Sequence, residues 1–172
     1  MSTRTYQRWA PKHWDEYSLL DSGHGARLEK FGKLVLDRPD PSVVWSRGRN
    51  NLEWRDADSR FEPTSRTKGD WSPAEVRPKG WQMNYKSPKL QLRFHLEMTS
   101  FKHVGIFPEQ VANWEYIVDN VREGQKFLNL FAYTGGASLA ACAAGADVTH
   151  VDAIRQVVDW TRKNMQLSGL DG

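Results

Sequence analysis

The 172-residue sequence predicts an α/β chain: a small, mostly antiparallel β domain over residues 1–104, then the first two strand–helix units of a doubly wound parallel sheet over 105–172. Three observations carry this expectation. Leu90, Leu92, Phe94, Leu96 and Met98 alternate with Gln91, Arg93, His95 and Glu97, the period of a strand with one core face and one wet face. Phe127 to Ala132 is a short, near-continuous apolar run, as expected of a central parallel strand covered by helices on both faces. Gly135 and Gly136 then separate that run from an alanine-rich helix, and a second strand ends on Asp152.

Taken in order, residues 1–24 carry Trp9, Trp14, Tyr17, Leu19 and Leu20 without a clear period and read as an irregular arm packed by its aromatics. Ala26 to Leu36 reads as two short strands turning at Phe31-Gly32, and Val43-Val44-Trp45 as a further strand. Between them Arg38-Pro39-Asp40-Pro41 is a turn, because proline fixes φ and removes a ladder donor. The polar, proline-bearing stretch from Arg47 to Gly80 predicts a loop-rich region with room for hairpins. Pro108 opens a helix with Glu109 at its positive end, and Val111, Trp114, Ile117, Val118 and Val121 form its apolar stripe. The helix Ala137 to Ala144 is capped by Gly145. After Asp152 an amphipathic helix places Ile154, Val157, Val158 and Met165 inward and stops at Gly169.

Composition narrows the functional classes. No apolar run reaches membrane-span length, and the first residues lack the apolar core of a secretory signal, so the expectation is a cytoplasmic protein with no membrane partner. Cys142 is the one cysteine, which excludes an internal disulfide, and its place among alanines reads as inert core packing. The five histidines show no metal spacing. The net charge of +3 divides into +6 over residues 1–105 and −3 over the remainder, a modest basic excess that suits an RNA-facing first half and equally suits ordinary solvated surface. Trp45, Trp54, Trp71 and Trp81 read as packing for a small β domain.

The chemistry is concentrated between Phe127 and Asp152. Adjacent glycines let a ligand approach backbone N–H groups at a helix start, and a carboxylate ending the next strand can accept hydrogen bonds from both hydroxyls of a ribose. This predicts an adenosine-containing cofactor. A dinucleotide fold would be expected to show G-x-G-x-x-G, whereas this turn reads Tyr-Thr-Gly-Gly-Ala-Ser, which weakens an NAD reading.

The run Phe-Leu-Asn-Leu-Phe-Ala-Tyr-Thr-Gly-Gly, the Ala-rich helix, Val-Thr-His-Val-Asp, and the helix ending Asn164-Met165-Gln166-Leu167-Ser168-Gly169-Leu170 resemble class I S-adenosylmethionine-dependent methyltransferases of the 23S rRNA large-subunit type. Upstream, Gly105 to Gln110 is similar to the segment leading into that domain. The resemblance implies a Rossmann-like class I methyltransferase fold, here truncated, with S-adenosyl-L-methionine as cofactor and RNA, in particular an rRNA base, as substrate. It places Phe131, Ala132, Tyr133, Thr134, Gly135, Gly136, Ala137 and Ser138 around the methionine and ribose, Asp152 on the ribose hydroxyls, Ala153 beside the adenine, and Gln110 near the cofactor. Asn129 stands where many class I enzymes carry an acid, and its amide can hold the turn by hydrogen bonds.

The family's later Asn/Asp-Pro-Pro-aromatic loop and later cysteines are absent, so the expectation is an N-terminal portion without catalytic residues and inactive alone, with an open strand edge that favours aggregation or an edge-strand dimer. Two other readings are an NAD-linked oxidoreductase fragment and a non-catalytic RNA-binding module.

Overall fold

The computed structural model describes residues 14–48, 51–73 and 79–170. Its first half contains β1 (Tyr17–Gly23), β2 (Ala26–Phe31), β3 (Leu34–Pro39), α1 (Asn51–Arg55), β4 (Ser59–Pro63), β5 (Gly69–Ser72), β6 (Trp81–Lys86) and β7 (Gln91–Leu96). A single 3-10 turn, Pro108–Gln110, leads into α2 (Val111–Asn120), followed by β8 (Lys126–Leu130), α3 (Gly136–Ala143), β9 (Asp147–Val151) and α4 (Arg155–Ser168).

Strands β1 to β5 form one sheet in sequence order, antiparallel throughout except for a short parallel pairing of β3 with β4. Strands β6 and β7 form an antiparallel hairpin, and β8 and β9 a parallel pair. The mixed α/β class and the mostly antiparallel first half therefore match the sequence expectation.

Several local expectations are corrected. Tyr17 to Gly23 is a strand rather than an irregular arm, because its partner is the well-patterned β2, with which it registers from Tyr17↔Phe31 to Gly23↔Ala26. Trp9 lies outside the described residues. Val43 to Trp45 is not a strand: its carbonyls accept only from Gly25 and His24 at the β1–β2 turn, and Val44 is 86% exposed. Pro39 ends β3 rather than sitting in a turn, and its missing donor is tolerated at the strand end. His95, expected on a wet face, is buried, because α4 packs over that side of β7.

The parallel pair departs from the expected central strand. Among the described residues β8 has a strand neighbour on one side alone, and its burial alternates: Phe127 and Asn129 are half-buried, whereas Leu128 is 60% and Leu130 54% exposed. Helix α3 covers one face and the other is open. Ile154, expected inward, is 56% exposed at the α4 N-cap; the buried residues of α4 are instead Val157, Trp160, Thr161 and Asn164. Cys142, expected in the core, is half-buried on α3, and burial raises its thiol pKa, which keeps it protonated and disfavours a nucleophile.

One apolar cluster joins the two halves. Phe31 and Leu36 of the sheet, Met83, Tyr85, Leu92, Phe94 and Leu96 of the hairpin, and Val111, Trp114 and Leu139 of the helices all belong to it. Trp14 lies at its centre, 5.3 Å from Tyr85 and 5.8 Å from Trp114 between ring centroids, and Phe94 stacks on Trp114 at 5.1 Å. A polar joint reinforces it. The buried Arg38 donates to Glu29 through Nε and Nη2 and to the Lys102 carbonyl through Nη1, while Lys102 Nζ reaches back to the Pro39 carbonyl. Removing one partner of such a buried pair costs more than forming the pair gains, so the joint fixes relative position more than it adds stability.

Candidate functional site

The site begins where β8 stops. Phe131 has φ 54°, Tyr133 49° and Gly135 91°, so three left-handed residues follow the strand within five positions. Bulky residues adopt positive φ rarely, so Phe131 and Tyr133 must be held there by their surroundings. At Tyr133 the holders are visible. Its N–H donates to Asp152 Oδ2 at 2.9 Å, and its carbonyl accepts from Thr161 Oγ1 at 3.0 Å. At Thr134, Oγ1 donates to the Gly105 carbonyl at 2.5 Å, and the carbonyl accepts from Asn164 Nδ2 at 2.9 Å. The turn is thus tied to β9, to α4 and to the segment that precedes α2.

The two glycines serve this tying. A Cβ on Gly135 would lie 2.4 Å from Thr161 Cγ2, and one on Gly136 would lie 2.5 Å from Trp114 Cζ2. The atoms that occupy the space of the missing side chains are those of Thr161 on α4 and Trp114 on α2, which pack directly against the turn. Gly135 is also the left-handed N-cap of α3.

In front of the turn lies a cleft of about 470 Å³, within the range of small-molecule and cofactor pockets. Of the residues the sequence singles out, Gln110, Phe131, Ala132, Tyr133, Thr134, Gly136 and Ala137 line it. Gly135, Ser138, Asp152 and Ala153 do not. Ser138 is buried with its hydroxyl toward Asn129 and His150, and Ala153 is exposed beyond β9. Asp152 sits beside the turn with Oδ2 on the Tyr133 N–H and Oδ1 on the Ile154 N–H. Each carboxylate oxygen has a second lone pair, so two acceptor positions remain for a ligand. Gln110 is exposed and accepts from Asn113 Nδ2 at 2.7 Å.

Sequence reasoning missed Phe107, Glu109 and Trp114 as cleft residues. Trp114 reads from its spacing as helix core, which it also is. Phe107 makes tilted ring contacts with Tyr133 and with His103, both at 4.9 Å between centroids. Burial pushes the Tyr133 hydroxyl up to about 12, and burial with the nearby cations Arg38, Lys102 and Arg27 pulls His103 down to about 4. Both rings are therefore uncharged near neutral pH, and the cleft wall that Tyr133 forms with Phe107 suits a neutral, planar group. Among the described residues, no group of three or more His, Cys, Asp or Glu could hold a metal ion, and no helix is long and apolar enough to cross a membrane.

Comparison with known proteins supplies an independent view. Residues 41–172 match the family model described as S-adenosylmethionine-dependent methyltransferase. The ribosomal RNA large subunit methyltransferase K/L of Magnetococcus marinus is 35% identical over 82 residues, which is 47% of this chain and 11% of that protein. The crystal structure of a SAM-dependent methyltransferase from Agrobacterium tumefaciens superposes with a TM-score of 0.81 at 38% identity, covering 91% of this chain and 50% of that one. A tRNA m1G37 methyltransferase from M. jannaschii, 16% identical with a TM-score of 0.51 over 80% of this chain and 41% of its own, shares the fold. The chain thus spans about a tenth of that curated relative's length and half of the Agrobacterium structure.

Proposed function

We propose, for a chain that belongs to the S-adenosylmethionine-dependent methyltransferase family, that the cleft before the Phe131–Gly136 turn holds S-adenosyl-L-methionine and that the methyl acceptor of the whole protein is an RNA base. The observation that carries the cofactor reading is the tie between Asp152 and the turn: a carboxylate with unused lone pairs holds, through the Tyr133 N–H, a turn whose residues line a cleft of suitable volume. Phe131 to Ala137 and Gln110 would surround the methionine and ribose, with Ser138 holding the turn from below, Gly135 shaping it, and Ala153 beside the adenine. The cofactor brings an already activated methyl group. The chain's own share is to position it and exclude water.

The RNA reading is supported by the relatives, named as ribosomal RNA methyltransferases, and by the charge division along the sequence. We assign RNA contact to residues 1–104 and cofactor contact to residues 105–172, in a cytoplasmic setting. Family membership disfavours the NAD-linked reading, and the cleft disfavours a purely RNA-binding module.

Calorimetry on this chain with S-adenosylhomocysteine and with NADH tests the cofactor assignment. The expected result is weak binding of the first, lost in Asp152→Ala, no binding of NADH, and no methyl transfer to RNA. Equal affinity for NADH, or binding indifferent to Asp152→Ala, would sink it.

A further inference from the structure

Beneath the turn, four elements meet in a chain of hydrogen bonds, and the cofactor assignment gives its histidine no role. Asn129 Nδ2 on β8 donates to Ser138 Oγ on α3 at 2.9 Å, and Ser138 Oγ lies 2.9 Å from His150 Nδ1 on β9. On the far side of the ring, His150 Nε2 lies 3.3 Å from Thr161 Oγ1 on α4, which donates to the Tyr133 carbonyl at 3.0 Å. Ser138 and Thr161 are 1% and 3% exposed, so neither hydroxyl can turn to solvent instead.

Counting protons gives this chain a direction. Each hydroxyl has one proton to give. Asn129 occupies one of the two lone pairs of Ser138, and the acceptor within reach of the buried Ser138 proton among the described residues is His150 Nδ1, which is then the bare nitrogen. The ring proton therefore sits on Nε2 and points at Thr161 Oγ1, leaving the Thr161 proton for the Tyr133 carbonyl. Running the chain the other way requires the Asn129 amide to be reversed and spends the Thr161 proton on the ring. The Tyr133 carbonyl, whose donor among the described residues is Thr161, would then be left bare. The Val157 carbonyl lies at the same 3.0 Å from Thr161 Oγ1, as in the ordinary helix back-bond, so the one Thr161 proton is shared between the two carbonyls, and both would lose it if it were spent on the ring. Burial lowers the proton affinity of His150, with Asp152 opposing, and a neutral ring is what the chain needs.

We propose that His150, as its Nε2–H tautomer, is a positioning residue: it links Ser138 to Thr161 and so fixes the Tyr133 carbonyl and the left-handed backbone that shapes the cleft. Its bearing on catalysis rests on the cofactor reading above, whereas the tautomer and its hold on the turn do not. Spacing alone offered no sign of it, since a histidine in a strand carries no motif.

The test reads the turn without cofactor, which keeps its failure distinct from failure of the cofactor reading. Long-range ¹H–¹⁵N correlation on the labelled chain at neutral pH should show His150 protonated at Nε2 and bare at Nδ1. Amide exchange at Tyr133 and Gly135 should accelerate about tenfold or more in His150→Phe while β2 and β3 keep their protection. In His150→Gln, whose carboxamide offers an NH2 group to donate and a carbonyl oxygen to accept in place of the ring's N–H and bare nitrogen, exchange should stay within about threefold of the parent. An Nδ1–H ring, equal acceleration in both variants, or none in His150→Phe would overturn the assignment. If His150→Phe fails to fold, the tautomer in the parent chain still decides.

Discussion

A methyl group at Gly136 is a small change with nowhere to go. It would lie 2.5 Å from Trp114 Cζ2 and 2.8 Å from Nε1, and Trp114 is itself wedged against Phe94 and Trp14. Gly136→Ala should therefore cost about 1–3 kcal/mol by overpacking, read as a lower denaturant midpoint with unchanged m-value, and should close the cleft to S-adenosylhomocysteine. His103 makes a second prediction at this scale. Its folded pKa of about 4 lies below its ordinary value of 6.5. Between those values the unfolded chain binds a proton that the folded one refuses, so the contribution is complete above about pH 6.5 and is lost as pH falls toward 4. The groups facing it are the cations Arg38, Lys102 and Arg27, which strengthen the effect, and Asp40, which opposes it. Urea midpoints at about pH 7.5 and pH 5 should fall further for the parent than for His103→Gln; an equal fall in both would refute this.

Among the elements, α4 determines most of the site's shape. Asn164, fully buried, accepts from the His95 N–H on β7 and donates to the Thr134 carbonyl in the turn, and Trp160 Nε1 donates to the His95 carbonyl. Asn164→Ala would strand two buried main-chain groups at once, at about 1–3 kcal/mol each. Chemical denaturation should register that loss, and Asn164→Asp, which keeps the His95 bond but sets a buried acceptor against the Thr134 carbonyl, should lose at least as much at neutral pH. Sequence periodicity found α4 and its Gly169 stop, because both are local signals. It misplaced the helix's inner face at Ile154, since Thr161 and Asn164 look polar until β7 and the turn are seen to supply their partners. β6 and α1 escaped because their patterns are short and mixed, and Phe107 because an aromatic in an irregular segment carries no period. That Gln110, the Phe131–Thr134 run, Gly136 and Ala137 border one cleft was legible, because turn chemistry and family resemblance both act over a few consecutive residues.

For the whole molecule, the open face of the β8–β9 pair is the dominant physical feature. Leu128, Leu130 and Val151 are 60%, 54% and 44% exposed there, with Phe131 beside them at 94%. Contiguous apolar surface next to an unpaired strand edge is a template for association. Light scattering should show reversible self-association that rises with concentration, and Leu128→Lys together with Leu130→Lys should suppress it while leaving the β1–β5 sheet intact. A monomer at all concentrations would contradict this.

The aromatic cluster at the joint has a consequence of another kind. Trp14 enters from the start of the described chain and Trp114 from α2, yet their rings stand 5.8 Å apart at 52°, close enough for their excited states to mix. That mixing vanishes once the two segments part. The protein thus carries an intrinsic circular-dichroism gauge of whether the β-rich half remains seated on the half that bears the turn, readable without any label.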